Sequence, residues 1–303
     1  MVWLIAAGVV LVLVLVVLHK APVHLIRTIN KTAILACQQN DWGTASNYYR
    51  EGHEVAGKLL EPRKSKFLWL IELQWASVLH RLGKMREADE MFRSGFSKAT
   101  VTGRRDDLVI PTAHLDYGDL CTDEGRHCDA ERHYRKALEF DERVGNKAMT
   151  IFDLQRLGDS LIRQERRQEA EEVIHRAIAL ETEVVRAQLM RQGRNPSECE
   201  IISMSMPDLQ FCREQYESAR SLYRQKVEYW QSQVTRPSNV DLGHLQMRLA
   251  FAEARTGHSA EAIEMYEQAE ATFRREWCDG HPKAEHARQA REEISATMMP
   301  VRE

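Results

Sequence analysis

Helix breakers are scarce in this sequence. Its 303 residues hold 15 Gly and 8 Pro, too few for an all-β chain with many turns. The same scarcity excludes collagen-like and low-complexity classes. No charge dominates either: 42 Lys and Arg stand against 45 Asp and Glu, a net charge of −3. Nucleic-acid binding generally needs a basic patch or stripe, so that partner is not expected. Cysteine is sparse, at positions 37, 121, 128, 199, 212 and 278. The chain is too long for a small disulfide scaffold, and unpaired, mostly buried thiols are expected. Motifs that carry chemistry are also lacking: there is no Walker A loop, GxGxxG, HExxH, GxSxG or CxxC. Without a nucleophile–base pair or a ligand set, no enzymatic activity, cofactor or small-molecule substrate is expected. Cys121, His127, Cys128 and His133 place four soft ligands close together. Their spacing assigns them instead to helix packing and a turn, so no metal is expected.

One long apolar run is present. Residues 1–18, MVWLIAAGVVLVLVLVVL, carry no charged or strongly polar side chain. As a helix they would span about 27 Å at about 1.5 Å per residue, close to a hydrocarbon core of about 30 Å. No Lys or Arg precedes the run and no small-x-small site follows it, which argues against a cleaved signal peptide. Residues 1–20 therefore predict one N-terminal transmembrane helix. Lys20, Arg27 and Lys31 follow the run, and no acidic residue comes before Asp41. The positive-inside rule then predicts a single-pass membrane protein with its N-terminus outside and the rest facing the cytoplasm.

The rest of the chain repeats itself. LHRLGKMREADEMFRSGF (79–96), CTDEGRHCDAERHYRKAL (121–138), LIRQERRQEAEEVIHRAI (161–178) and EARTGHSAEAIEMYEQAE (253–270) align on Ala88, Ala130, Ala170 and Ala262. Weaker copies centre on Ala45 and Ala219. A large residue stands four places after each alanine. In two copies Gly118 and Gly158 stand earlier, where two helices would cross. Small residues there let helix backbones approach, and stacked pairs bury one another's apolar faces.

This pattern resembles the tetratricopeptide repeat family, in its kinesin-light-chain-like form with a period near 42 residues. The resemblance implies an all-α fold, an α-solenoid of helix-turn-helix repeats. About six repeats would fill residues 21–281, with repeats one and five degenerate, followed by a capping helix and tail over 282–303. Pro207 occupies the small-residue place in repeat five, where it would kink, shift or split the helix. Gly193, Asn195 and Pro196 mark a loop within 186–200. The resemblance also implies a groove lined by Asp119, Asp159 and Asp208 with Arg81, Arg163 and Arg255. The Lys/Asn carboxylate clamp of chaperone-binding members is absent, with Thr112, Phe152 and Gln155 at those places. The expected function is a membrane-anchored adaptor that binds a cytoplasmic protein or peptide. The alternative is an assembly factor packing on subunits of a membrane complex.

Removing residues 1–20 should release a soluble, mainly helical protein. If the truncated chain still pellets with membranes after salt and carbonate washes, a single anchor cannot explain its attachment.

Overall fold

The computed structural model describes residues 22–61, 63–102, 109–193, 203, 205–232 and 239–298. The proposed anchor lies outside them. Among the described residues all regular structure is helical, and no helix is long and apolar enough to cross a membrane. The chain divides into two compact units, residues 1–109 and 110–303. The first holds α1 (22–38), α2 (Trp42–Gly57), α3 (Arg63–Arg81) and α4 (Met85–Val101). The second begins with α5 (Val109–Asp123), α6 (His127–Val144), α7 (Lys147–Arg163) and α8 (Arg167–Arg191). It continues with α9 (Met206–Cys212), α10 (Tyr216–Ser232), α11 (Asn239–Arg255), α12 (Ser259–Glu276) and α13 (Pro282–Met298). Consecutive helices pair, giving two hairpins in the first unit and four plus α13 in the second.

Every hairpin turns in the same way. The turn residue has positive φ: Asn40 (58°), Gly83 (71°), Gly125 (73°), Glu165 (61°), Glu214 (57°) and Gly257 (85°). The next N–H reaches back to the closing turn of the first helix, as in Lys84 N to Leu79 O at 2.9 Å and Arg126 N to Cys121 O at 2.8 Å. This left-handed residue satisfies carbonyls that a helix end would leave unpaired. Five residues later comes the alanine of the repeat, in all six copies. Ala45, Ala88, Ala130, Ala170, Ala219 and Ala262 are each 0% exposed.

The crossing itself is tighter than an alanine would allow in one hairpin. A β-carbon on Gly118 would lie 2.4 Å from the Tyr134 ring. One on Gly158 would lie 3.0 Å from Ile174 Cγ1, so an isoleucine fills the ring's place there. The large residue follows the small one by sixteen positions in every copy, and Tyr49, Phe92, Tyr134, Ile174, Tyr223 and Tyr266 are all buried.

Two sequence expectations change form. Pro207 neither kinks nor splits a helix. It sits in the first turn of α9, a helix of only 7 residues, where its missing N–H costs nothing. Residues 186–191, expected within a loop, instead complete the 25-residue α8. Gly193 follows at φ 70°, and 194–202 lie outside the described residues. The last helix is more than a solvated cap. Its Ala284 and Ala287 pack with Ala250, Tyr266, Ala269 and Phe273.

Two opposite substitutions test these crossings and turns. Gly118→Ala should lower stability by about 1–3 kcal/mol through overpacking, although alanine gains about 1 kcal/mol in helix propensity. Glu165→Gly should raise it by about 1 kcal/mol by relieving a left-handed glutamate. Urea unfolding reads both; a neutral Gly118→Ala would show that the Tyr134 ring is loosely held.

Candidate functional site

The residue after each small helix-crossing residue is an aspartate in α5, α7 and α9: Asp119, Asp159 and Asp208. The large residue sixteen positions after the small one approaches it. Tyr134 donates its hydroxyl hydrogen bond to Asp119 Oδ1 at 2.8 Å, and Tyr223 donates to Asp208 Oδ1 at 2.5 Å. Ile174 has no hydroxyl, so Asp159 is met differently. Arg163 Nε donates to its Oδ2 at 3.3 Å, and an Arg248 nitrogen lies 2.9 Å from its Oδ1. The other Arg248 nitrogen donates to Asp208. Burial opposes ionisation of Asp159, but Arg163, Arg248 and Arg156 outweigh it and hold the carboxyl below its ordinary range.

Arg156 stands between Asp119, at 3.5 Å, and a further carboxylate, Asp241, at 4.0 Å. Beside it, His244 Nε2 accepts from Lys283 Nζ at 3.2 Å. Burial, then Lys283, Arg156 and Arg248, push the His244 pKa well below its usual value, so the ring is neutral. Lys283 also pairs with Asp123 at 3.4 Å. The start of α13 thus returns to the end of α5 within the same unit. Two cavities adjoin this cluster, and both are lined by Arg156 and His244. One, of about 550 Å³, includes Asp119, Asp159 and Arg163. The other, of about 340 Å³, includes Asp208, Lys226, Phe152 and Trp230. Burial lowers the Lys226 pKa.

Four of the six residues expected in a groove are therefore gathered around these cavities: Asp119, Asp159, Arg163 and Asp208. The other two are not. Arg255 lies over Tyr216, 5.1 Å from the ring centroid, and over Phe251 at 6.0 Å. Phe251 takes the place that aspartate holds in the earlier repeats, so no carboxylate is present there to draw Arg255 inward. Arg81 belongs to the first unit, where it lies over Trp42 at 4.9 Å. Arg156, Arg248, His244, Lys226 and Lys283 were missed. Arg156 and Arg248 carried a signal, since each stands two residues before its repeat's small residue, Gly158 or Ala250.

The four soft ligands serve other purposes. Cys121 is buried in the core, while Cys128 is exposed with its Sγ 3.5 Å from Gln164 Oε1. His133 and His114 approach through their Nδ1 atoms at 2.9 Å, and His127 lines the larger cavity. None of the described cysteines, 37, 121, 128, 212 and 278, forms a disulfide.

No family model matches the sequence, and no curated protein matches it. Solved structures do resemble the fold. The apo form of RapI has 13% identity and a TM-score of 0.58, covering 84% of this chain and 84% of its own. A Rap protein complexed with competence and sporulation factor has 13% identity and a TM-score of 0.51, with coverage of 90% and 75%. A putative kinesin light chain from Podosopora anserina with TPR-like repeats has 14% identity and a TM-score of 0.45, with coverage of 82% and 95%. At these identities the likeness concerns the fold alone. The class of protein is an all-α assembly of tetratricopeptide-like hairpins.

A buried acid pair lies between α6 and α7. Asp153 is 0% exposed and Asp141 3%. Burial, reinforced by Asp141, pushes the Asp153 pKa from 3.8 up to about 8. A raised carboxyl pKa stabilises the fold fully below the unfolded value, and that stabilisation is lost as pH rises toward 8. Asp153→Asn, which stays neutral, should therefore stabilise the protein by about 1 kcal/mol or more at pH 8.5 relative to its effect at pH 4. Equal effects in thermal melts at both pH values would rule out a shared proton at this pair.

Proposed function

We propose that this protein is a membrane-anchored adaptor. Residues 1–20 hold it in the bilayer as a single-pass helix, with the N-terminus outside and the repeats facing the cytoplasm. The groove of residues 110–303 takes a segment of a partner protein or peptide. The observation that carries this reading is the pair of adjoining cavities around Arg156 and His244, which combine fixed charges with the aromatic walls of Phe152 and Trp230. Aromatic anchoring pockets ringed by polar groups suit protein recognition. The reading is non-catalytic: the aspartates are bound by arginines and tyrosine hydroxyls, an arrangement suited to recognition. A Rap protein of similar fold has been solved in complex with competence and sporulation factor, which supports binding of a protein or peptide by such a fold. Anchoring would confine the pair to the membrane surface and raise effective concentration without any new contact.

Photocrosslinking from full-length protein in native membranes tests this. A photoreactive residue at Phe152, which is 45% exposed beside the smaller cavity, should capture a discrete partner. The same residue at Val144, exposed outside both cavities, should not. Capture from Val144 alone would move recognition to another face, as an assembly factor would require.

A further inference from the structure

The two units carry charge of opposite sign. Residues 1–109 hold 15 Lys and Arg against 10 Asp and Glu, whereas residues 110–303 hold 27 against 35. In the first unit the four helices pair as successive antiparallel hairpins, and one layer of contacts fixes their level. A β-carbon on Gly52 of α2 would meet Ile29 of α1 at 3.3 Å and Ile71 of α3 at 3.6 Å. In the same layer the buried Glu72 of α3 takes His53 of α2 at 3.0 Å and Lys98 of α4 at 2.8 Å. The start of α1, the end of α2, the start of α3 and the end of α4 therefore share one end of the unit.

That end is cationic. Beyond the layer lie Arg27, Lys58, Arg63, Lys64 and Lys66. Among the described residues there, the acids are Glu54 and Glu61, and Glu61 accepts from the N–H and the hydroxyl of Ser65. No described acid forms an ion pair with Arg27, Lys58, Lys64 or Lys66. At the opposite end of the same unit four cations meet four acids. Lys84 pairs with Glu87, Arg86 with Glu90 and Arg93 with Asp89. Asp41 caps α2 there, and Arg81 lies over Trp42. The cationic end also bears the two most exposed large apolar side chains of the described residues. Leu60, in the turn between α2 and α3, is 84% exposed, and Val101, at the end of α4, is 83% exposed.

The chain enters the unit at this end. α1 begins at residue 22, and two residues reach at most about 7 Å. With residues 1–20 anchored in a bilayer, the start of α1 lies within about one Debye length of its surface, about 8 Å at physiological ionic strength. Resting on that anchored reading, we propose that this end of the first unit sits on a bilayer surface rich in anionic phospholipid. The lysines and arginines meet headgroup phosphates, and Leu60 and Val101 enter the boundary between headgroups and acyl chains. An acidic protein segment would meet the cations but leave both apolar side chains in water. A lipid surface meets the two needs at once, and the anchor brings it to this end. The contact gives the protein a second hold on the membrane, one that added salt weakens.

Full-length protein carrying a polarity-sensitive fluorescent residue at Leu60, reconstituted into vesicles, tests this. With phosphatidylglycerol present its emission should shift to the blue and be quenched by lipids brominated high on the acyl chain. Pure phosphatidylcholine, or high salt, should abolish both effects. The same probe at Arg86, at the opposite end, should respond to neither lipid. Lys58→Glu, Lys64→Glu and Lys66→Glu together should remove the response at Leu60 with helical content unchanged. The lipid comparison needs no charge variant, so it decides even where the triple variant misfolds. Quenching that is absent on anionic vesicles, equal in both lipids, or indifferent to the triple substitution in a folded protein overturns the proposal. Flotation with the vesicles after a carbonate wash reports the anchor separately. Retention without quenching keeps the anchor and overturns the lipid-binding end, whereas quenching without retention keeps that end and removes the anchor. Loss of both removes both.

Discussion

A helix crossing too close for a β-carbon governs this structure. Where Gly118 meets Tyr134, the ring occupies the space a side chain would need. That position carries the phenol across the first helix of the hairpin, and its hydroxyl arrives at the next residue, Asp119. Packing and polarity are therefore set together: a small residue, an acid after it, and a ring sixteen positions on. The same spacing joins Asp208 to Tyr223. Where isoleucine replaces the ring, the crossing still closes but the hydroxyl is lost, and the acid must be satisfied from elsewhere. Arg248 then reaches Asp159 from α11, four helices further on. The core choice of tyrosine or isoleucine thus decides whether a phenol hydroxyl of the same hairpin reaches the aspartate, while all three aspartates also meet an arginine from another hairpin.

Such ties are a poor route to stability. Desolvating an ion pair costs about as much as the pair returns, and an apolar replacement of similar volume often does as well or better. What the ties supply is fixed geometry. Arg248 bridges Asp159 and Asp208, and Lys283 joins Asp123 to His244, so the charges lining the two cavities hold one another in place. A groove organised in advance avoids paying that ordering entropy on binding.

The hairpins were legible because their spacing is rigid. A left-handed turn residue precedes each alanine by five places, and the alanine precedes its large neighbour by four. Glycine marks only half of these turns. Asn40, Glu165 and Glu214 adopt the same conformation, so the alanine ladder was a better guide than the glycines. The fifth hairpin was harder to read because proline permits several local outcomes, of which the first turn of a helix is one. In the groove, aspartates at a fixed repeat position could be found by alignment. Arg156 and Arg248 share a position too, yet a single sequence gives no reason to prefer it over neighbouring charged places. Lys283 carried no repeat signal at all, since its contacts with Asp123 and His244 arise from how α13 packs.

The sixth repeat shows where the row of aspartates ends. Phe251 stands at the aspartate position and meets Phe211 at 5.3 Å and Tyr216 at 6.1 Å between centroids. Arg255 lies over this cluster, where the ring faces offer it a weakly negative surface without desolvating a carboxylate. The acid row therefore stops after α9, and Arg248 is the last cation that turns back along it. On the other side Lys283 and Glu285 of α13 wall the larger cavity. In the proposed adaptor, affinity would have to come from a few well-filled positions between these walls, because exposed charges contribute little each.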